Sequence, residues 1–209
     1  MAIFNSQKTE KFLFGFLLFT LFWLPLSLGA NRPWAWALMQ MSFFFIGGVL
    51  LLTHKGLLSK LYSKYKPLVV LWLAFLVWQL INLVPLPFAL VEAIRPERVQ
   101  LLLNENIEGM RNITSQWLSL SFDVGQSDVT FFKSLAYCFL FFISLALINS
   151  AKRLKYTLIV ISGAGIFQAI YGSLEVLSGL QYSLVFKLPV SHIATGSFVY
   201  KNHYANFLL

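Results

Sequence analysis

Four polar residues beside apolar segments are the best candidates for chemistry in this sequence. Lys201, Asn202 and His203 follow a turn of small polar residues and precede a short apolar stretch, and Arg32 stands in a brief polar connection between two long apolar runs. Lysine and arginine can bind a phosphate group, whereas histidine can transfer a proton or donate a hydrogen bond. These four residues are therefore predicted to bind an anionic substrate.

A purely structural role for the same residues stays open. An arginine at the end of an apolar run can anchor the chain at the lipid headgroups, which is the alternative for Arg32. Asn202 is a residue type preferred at the N-cap of a helix. His203 is then either an interfacial residue of the first helical turn or a group that this turn directs at an anion.

The composition is that of a membrane protein. Hydrophobic residues make up 58% of the 209 positions and charged residues 11%, too few to cover an apolar core with polar surface. A net charge of +8 is also found in nucleic-acid-binding proteins, but nine of the sixteen Lys and Arg residues lie in three short segments that flank apolar runs. This placement indicates a topological role, and no nucleic-acid partner is predicted. The single cysteine, Cys138, allows no intrachain disulfide, and neither a metal site nor a cofactor is predicted.

The apolar runs predict an all-α fold, a polytopic transmembrane helical bundle forming a single membrane domain over residues 1–209. Five complete spans are predicted at about 12–28, 34–53, 68–84, 130–149 and 156–177, and the start of a sixth at 203. From His203 to Leu209 a helix extends roughly 10 Å, against about 30 Å of bilayer hydrocarbon, so the chain is expected to be a truncated N-terminal fragment. The first run is expected to be a retained helix, with cleavage after Ala30 as the alternative.

Two polar segments separate the predicted spans. His54 to Lys66 contains four lysines and no acid, which indicates an amphipathic segment on an anionic leaflet. The segment 92–129 carries six acids against three arginines and is predicted to be an extracytoplasmic loop that forms a solvated cap. Within this loop the pattern predicts a short surface helix over Val99–Leu103 and an isolated strand over Trp117–Phe122.

The distribution of charge predicts the orientation in the membrane. The nine clustered bases lie at Lys8 and Lys11, in the segment 54–66 and at 152–155, all on one side of the membrane if the five runs are spans. The connections on the other side hold six bases and six acids. Because positively charged connections stay in the cytoplasm, the N-terminus is predicted to be cytoplasmic. The acidic loop and Lys201 to His203 then face outward.

One acid falls within a predicted span. Glu175 lies near the end of the fifth span, with Gln168 and Tyr171 seven and four residues earlier on roughly the same helix face. An ionisable group inside a span is a functional candidate, and the three side chains can line a polar path. A hydrated carboxylate that reaches the membrane surface is the alternative.

The sequence resembles the O-antigen ligase and O-antigen polymerase family. In that family a Gly, a small hydroxyl residue, Phe, a basic residue, Asn-His, an aromatic residue and Ala precede a membrane helix, and here these positions are held by Gly196, Ser197, Phe198, Lys201, Asn202, His203, Tyr204 and Ala205. Tyr200, Lys201 and Asn206 replace the Asn, Arg and Gly usual in the family. The phrases NRPWAWALM and NLVPLPFALVEAIRPER are also similar to the family.

The resemblance implies a membrane glycosyltransferase of the bacterial inner membrane. Its donor would be a glycan linked to undecaprenyl diphosphate, and its acceptor the lipid A core or a growing polysaccharide. No cofactor is implied, and the main catalytic residues are expected in a later periplasmic loop beyond residue 209. The fragment alone is therefore expected to be inactive.

Two other classes of function stay open. A transporter or channel would use Glu175 and Gln168 as residues of its path, although no internal repeat accompanies them. A structural membrane subunit without chemistry would need none of the candidate residues.

Overall fold

A computed structural model describes residues 6–30, 32–104, 117–179, 181–183 and 193–209. The fold is all-α. The helices in chain order are α1 (Ser6–Leu26), α2 (Pro33–Thr53), α3 (Leu57–Leu83), α4 (Phe88–Ile94), α5 (Pro96–Asn104), α6 (Val124–Leu147), α7 (Ala151–Leu177) and α8 (Lys201–Leu208). Two strands of two residues, β1 (Leu86–Pro87) and β2 (Trp117–Leu118), and a 3₁₀ turn at Leu28–Ala30 complete the regular structure of the described residues.

Five of these helices are long and apolar enough to cross a membrane, namely α1, α2, α3, α6 and α7. They correspond one to one to the five predicted spans, so the fold-class prediction is confirmed. The helix α8 begins two residues before the predicted start of a sixth span and contains eight residues.

Two of the spans begin earlier than predicted because side chains cap them. The Oδ1 atom of Asp123 accepts a hydrogen bond from the backbone N–H of Gln126 at 2.9 Å, and α6 therefore starts at Val124. Ser150 caps α7 by accepting from the backbone N–H of Arg153 at 3.3 Å. Capping makes the polar residues before each apolar run helical as well, so the predicted loop over 92–129 ends earlier than expected.

The lysine-rich segment is continuous with the third span rather than separate from it. The helix α3 begins at Leu57 and includes Pro67, and Tyr65 has non-helical backbone angles (φ −125°, ψ 32°). A proline lacks a backbone N–H and disfavours helical geometry in the preceding residues. The lysine segment is thus a short helical stretch of nearly three turns that a kink separates from the apolar part of α3.

The chain forms two compact units. Unit 1 comprises Met1–Leu58 and Phe139–Leu209, and unit 2 comprises Ser59–Cys138. In unit 1, α1 packs against α2 and α7, and α7 packs against α8. The largest fully buried side chains of unit 1 are Phe43, Leu13, Leu17, Ile46, Leu147, Gln168 and Thr20.

Hydrogen bonds show that α1 and α7 run parallel. Glu10 near the start of α1 contacts Arg153 near the start of α7, and the Pro25 carbonyl near the end of α1 accepts from Gln168 of α7. Pro25 lies fifteen residues after Glu10, and Gln168 lies fifteen residues after Arg153. Parallel helices need an even number of crossings between their starts, which agrees with α1 and α7 as the first and fifth spans.

The connection between α3 and α6 in unit 2 is a small packed structure and not only a solvated cap. Val91, Val99, Leu118 and Leu120 form a buried apolar cluster. The strands β1 and β2 pair in antiparallel fashion, with Leu86 opposite Leu118. The predicted surface helix is present as α5. The predicted isolated strand is wrong, since only Trp117–Leu118 are extended and they have a partner.

Some sequence predictions fall outside the described residues. These are the connection residue Asn31 and the part of the acidic loop over 105–116, with the charged residues Glu105, Glu108 and Arg111. Lys187, one of the six outward bases in the topology argument, also lies outside them.

Candidate functional site

The last part of the chain is attached to unit 1 by a group of buried, uncharged polar atoms, which we call the neutral joint. It consists of the side chains of Gln168, Ser197 and Tyr204 and the backbone carbonyl of Pro25. Gln168 has no exposed surface, and Ser197 and Tyr204 are 6% and 8% exposed. The residues of the family-like motif therefore begin at a buried anchor.

The hydrogen bonds of the neutral joint use both ends of the Gln168 amide. Its Nε2 donates to the Pro25 carbonyl at 3.0 Å and to the Ser197 hydroxyl, and its Oε1 accepts from the Ser197 backbone N–H at 3.0 Å. The Ser197 hydroxyl in turn donates to the Pro25 carbonyl at 2.7 Å. The Tyr204 hydroxyl donates to the backbone carbonyl of Gln168 at 3.1 Å.

The position of Pro25 explains why its carbonyl is available. Pro25 is the penultimate residue of α1, and the last four carbonyls of an α-helix have no partner within the helix. A buried carbonyl without a hydrogen bond costs about 1–3 kcal/mol. Gln168 and Ser197 satisfy it from two other parts of the chain, which ties the end of α1 to α7 and to the turn before α8.

Two glycines permit the close approach at the neutral joint. Gly196 has a φ of +55°, and a Cβ atom there would lie 2.6 Å from Gln168 Oε1 and 2.8 Å from the Tyr204 ring. At Gly172 a Cβ atom would lie 2.7 Å from the Tyr204 hydroxyl oxygen. Both glycines are therefore required by the packing of this turn against α7.

Beyond the neutral joint, the predicted binding residues of α8 face outward. Lys201, Asn202 and His203 form its first turn and are exposed, whereas Tyr204 is buried. The prediction that Asn202 caps this helix is wrong. Tyr200 occupies the N-cap with extended backbone angles and no side-chain hydrogen bond, and Lys201 is already helical. The contacts of Tyr204 and of the turn before α8 fix the start of the helix two residues earlier than the Asn side chain would.

Arg32 lies at the same end of unit 1 as the start of α8. It is exposed and precedes α2, whose first residue is Pro33. The ring of Phe198 packs on Gly29, where a Cβ atom would lie 2.4 Å from it. Arg32 and Lys201 are each three residues from this contact, and three residues span at most about 11 Å. The structure thus places the two segments that hold the four predicted binding residues at the same end of unit 1.

Glu175 and Gln168 lie on the same face of α7, as the sequence predicted, and both are buried. Glu175 is 2% exposed, so its side chain is enclosed by protein and not hydrated. Tyr171 is half-buried on the same helix. Both amide hydrogens of Gln168 are used in the neutral joint, which leaves this residue without the hydrogen-bonding capacity expected of a path residue.

A second polar contact joins the other end of α1 and α7, and we call it the charged joint. Arg153 forms an ion pair with Glu10, donates to the carbonyl of Leu147 at 2.8 Å, and lies over the ring of Phe14 at 5.2 Å from its centroid. Asn149 also donates to Glu10 at 3.3 Å. From the sequence, Arg153 was expected only to contribute to the membrane orientation. Glu10 precedes the predicted first span, which begins at about residue 12, but lies within the helix α1.

The exposed residues at the start of α8 are suited to binding an anion. No group of three or more His, Cys, Asp or Glu residues that could hold a metal ion occurs in the described ranges. The exposed first turn of α8 offers a cation, an imidazole and backbone amides at the positive end of a helix, which together attract an anion.

Sequence reasoning missed the role of Ser197 in the neutral joint. A polar residue in the middle of an apolar span, such as Gln168, indicates that a buried partner is required. Two glycines at Gly196 and Gly172 are a further signal of close approach. Neither signal identifies the partner, because 29 residues of sequence separate Gln168 and Ser197.

The fold and the joints define the class of protein as a polytopic α-helical membrane protein whose last described helix presents basic and polar residues. Comparison with known proteins gives no match among family models, curated proteins or solved structures.

Proposed function

We propose that the gene product is a glycosyltransferase of the O-antigen ligase or polymerase class. It resides in the bacterial inner membrane with a cytoplasmic N-terminus, and transfers a glycan from undecaprenyl diphosphate to the lipid A core or to a growing polysaccharide. No nucleotide donor is needed, because the diphosphate of the lipid carrier is the leaving group.

One observation carries this proposal, namely the division of the family-like motif into a buried and an exposed part. Gly196, Ser197 and Tyr204 are committed to packing and hydrogen bonds in the neutral joint. Lys201 and His203, from the same motif, are exposed on the first turn of α8. The exposed part of the motif is thus available to bind an anion, and interfacial anchoring is the alternative that the experiment below separates from binding.

The proposed roles follow from the charge that develops during the reaction. Departure of a diphosphate places negative charge on oxygen atoms, which Lys201 and Arg32 stabilise as cations. Asn202 and His203 donate hydrogen bonds to the diphosphate or to the acceptor sugar. The base that accepts the proton of the acceptor hydroxyl is expected in the later periplasmic loop that the resemblance implies.

The transport alternative receives less support. Its two candidate path residues were Gln168 and Glu175, and the amide of Gln168 is engaged in the neutral joint. A path residue must exchange hydrogen bonds with its cargo, so a buried amide with both donors occupied is unsuited to this task.

Complementation of a gene deletion by the full-length gene tests the proposal. Lys201→Ala and His203→Ala should each reduce the amount of glycan on lipid A or polymer by about tenfold or more, since a hydrogen bond to a charged group contributes about 1.5–3 kcal/mol. His203→Gln should retain part of the transfer because it keeps one donor. The readout is the glycan ladder, normalised to the amount of protein in the membrane.

The matched control is Lys155→Ala, which removes an exposed lysine at the opposite end of unit 1. It should leave transfer unchanged. Normal transfer by all three variants of Lys201 and His203 would reduce these residues to interfacial anchors and remove the main support for the proposal.

The orientation needs its own measurement. In a Cys138→Ser background, a Ser115→Cys variant should react with an impermeant thiol reagent in intact spheroplasts, whereas Ser59→Cys, in the lysine-rich segment, should react only after lysis. The reverse pattern would place the N-terminus outside the cytoplasm and Lys201 on the wrong side for a periplasmic reaction.

A further inference from the structure

Unit 2 contains a polar cleft where the end of α3 meets the start of α6. The cleft has a volume of about 400 Å³. A backbone hydrogen bond from Ser121 to the Asn82 carbonyl, 3.0 Å long, holds the two helix ends together. Because one helix ends and the next begins here, the cleft lies at the boundary between the membrane and water.

The lining of the cleft combines aromatic rings with mostly uncharged hydrogen-bonding groups. Trp78 and Phe122 are 60% and 55% exposed. Amides come from Gln79 and Asn82, one helical turn apart on α3, and from Gln126. Asp123, Arg95 and three hydroxyl groups complete the lining.

Two of these polar groups retain capacity for a ligand. Asn82 donates through Nδ2 to the carbonyl of Trp78 at 2.7 Å, which leaves its Oδ1 as an acceptor. Gln79 donates through Nε2 to Ser134 at 2.9 Å and its Oε1 is buried, so this residue supports the lining and offers no group to a ligand. Asp123 caps α6 with one oxygen and has a second one to offer.

The charges of the cleft argue against an anionic ligand such as a phosphate. Arg95 is its only lining cation, and Asp123 balances it. The Arg95 guanidinium also donates to the carbonyl of Leu120 at 3.0 Å and lies 5.8 Å from the centroid of Phe122. Arg98 also lies 6.0 Å from the centroid of Phe122, but it is 8% exposed and donates to Ser119. Both arginines therefore hold this part of the protein together instead of facing the cleft as anion-binding groups.

We propose that this cleft binds an uncharged sugar residue of a membrane-anchored saccharide. The apolar C–H face of the sugar ring packs on Trp78, whereas its hydroxyl groups donate to Asn82 and Asp123. Amide and carboxylate acceptors beside an aromatic surface match a ring that has hydroxyls at its edge and C–H groups on its face. The inference rests on the proposed function and deepens it by assigning a sugar subsite outside the diphosphate-binding residues.

Photolabelling of the full-length protein tests the cleft. The protein is reconstituted in nanodiscs of phosphatidylethanolamine and phosphatidylglycerol, and the probe is an alkyl maltoside that carries a diazirine beside the sugar. We expect the label to map to residues 78–82 and 121–130, and an excess of free maltose to suppress it. Trp78→Ala and Asn82→Leu should each lower labelling about fivefold, as expected for the loss of one stacking or hydrogen-bonding contact.

The matched control is Trp72→Ala, which removes the other tryptophan of α3 and should leave labelling unchanged. An alkyl phosphocholine with the same diazirine should not label the cleft above the level of bulk lipid. Three results would each overturn the proposal. They are equal labelling by both probes, labelling that persists in excess maltose, and equal losses of labelling in the two tryptophan variants. Asn82→Leu keeps the span apolar, so a failure of Trp78→Ala to fold would not remove the test.

The photolabelling needs neither donor nor acceptor glycan, so it is independent of transfer. Sugar labelling of the cleft without any transfer activity would contradict the proposed function and leave the sugar site standing. Normal transfer without labelling would contradict the sugar site and leave the proposed function standing.

Discussion

The charged joint and the neutral joint connect the same two helices by different means. At one end of α1 and α7, Glu10 and Arg153 form an ion pair that is 24% and 19% exposed at the side chains. Fifteen residues further along each helix, or roughly 22 Å, Gln168 and Ser197 bind the Pro25 carbonyl with no formal charge. The two joints hold the helices parallel and in register.

The difference reflects how well each region can solvate a charge. An ion pair near the helix ends keeps part of its hydration and needs little from the surrounding protein. A fully buried site would make the same charges costly, so a neutral amide with all its hydrogen bonds satisfied is the more stable solution. The neutral joint has a further role, since it also fixes the turn that precedes the candidate binding residues of α8.

The largest effect is expected from Gly196→Ala. The substitution places a side chain at a φ of +55° and within 2.6 Å of Gln168 Oε1. It should lower the free energy of unfolding in detergent by about 3 kcal/mol, through backbone strain of about 1–2 kcal/mol and overpacking of similar size. Gly179→Ala has a similar φ of +64° but nothing within 4 Å, so it should cost about 1 kcal/mol. Equal losses would show that the close contacts do not matter.

A smaller loss is expected from Gln168→Leu. It leaves the Ser197 N–H without its acceptor and should cost about 2 kcal/mol of unfolding free energy. Gln40→Leu is the matched control, because Gln40 is a buried glutamine whose Nε2 has no hydrogen-bond partner in the described part of the chain. That substitution should be neutral or stabilising. A similar loss in both variants would mean that the neutral joint stabilises the protein by packing alone and not by its hydrogen bonds.

The charged joint should contribute less and should respond to salt. A double-mutant cycle with Glu10→Gln and Arg153→Gln should give a coupling energy of about 1 kcal/mol, since the pair is partly exposed. High salt should reduce this coupling by screening. The effect of Gln168→Leu should be the same at low and high salt. Salt dependence of both joints, or of neither, would remove the distinction between them.

The smallest effect on stability is expected at the exposed turn of α8. Lys201→Ala and His203→Ala should each change the unfolding free energy by less than about 0.5 kcal/mol, as is usual for exposed residues. Tyr204→Phe, one residue further, should cost about 1 kcal/mol because it removes the hydrogen bond to the Gln168 carbonyl. A large loss from Lys201→Ala would indicate a structural role and weaken its assignment to substrate binding.

Hydropathy was sufficient to find the spans, but not their ends. The five apolar runs correspond to five helices because burial of about twenty apolar residues in lipid dominates the energetics of each segment. The starts of α6 and α7 depend on single capping side chains, Asp123 and Ser150, whose influence hydropathy does not register. The start of α8 also differs from the prediction, but for another reason: Tyr200 and not Asn202 occupies the N-cap, and no side chain caps this helix.

The sequence by itself determined that this chain is a polytopic α-helical protein, and it identified Lys201, Asn202, His203 and Arg32 as residues worth testing. Composition and periodicity suffice for this, because they report on each segment's own preference for lipid or water. Only the tertiary structure decided that Gln168 and Ser197 share one carbonyl, that Glu10 pairs with Arg153, and that an amide-lined cleft forms beside Trp78. These contacts join residues far apart in the sequence, and their hydrogen-bonding partners are set by how the helices pack rather than by any local pattern.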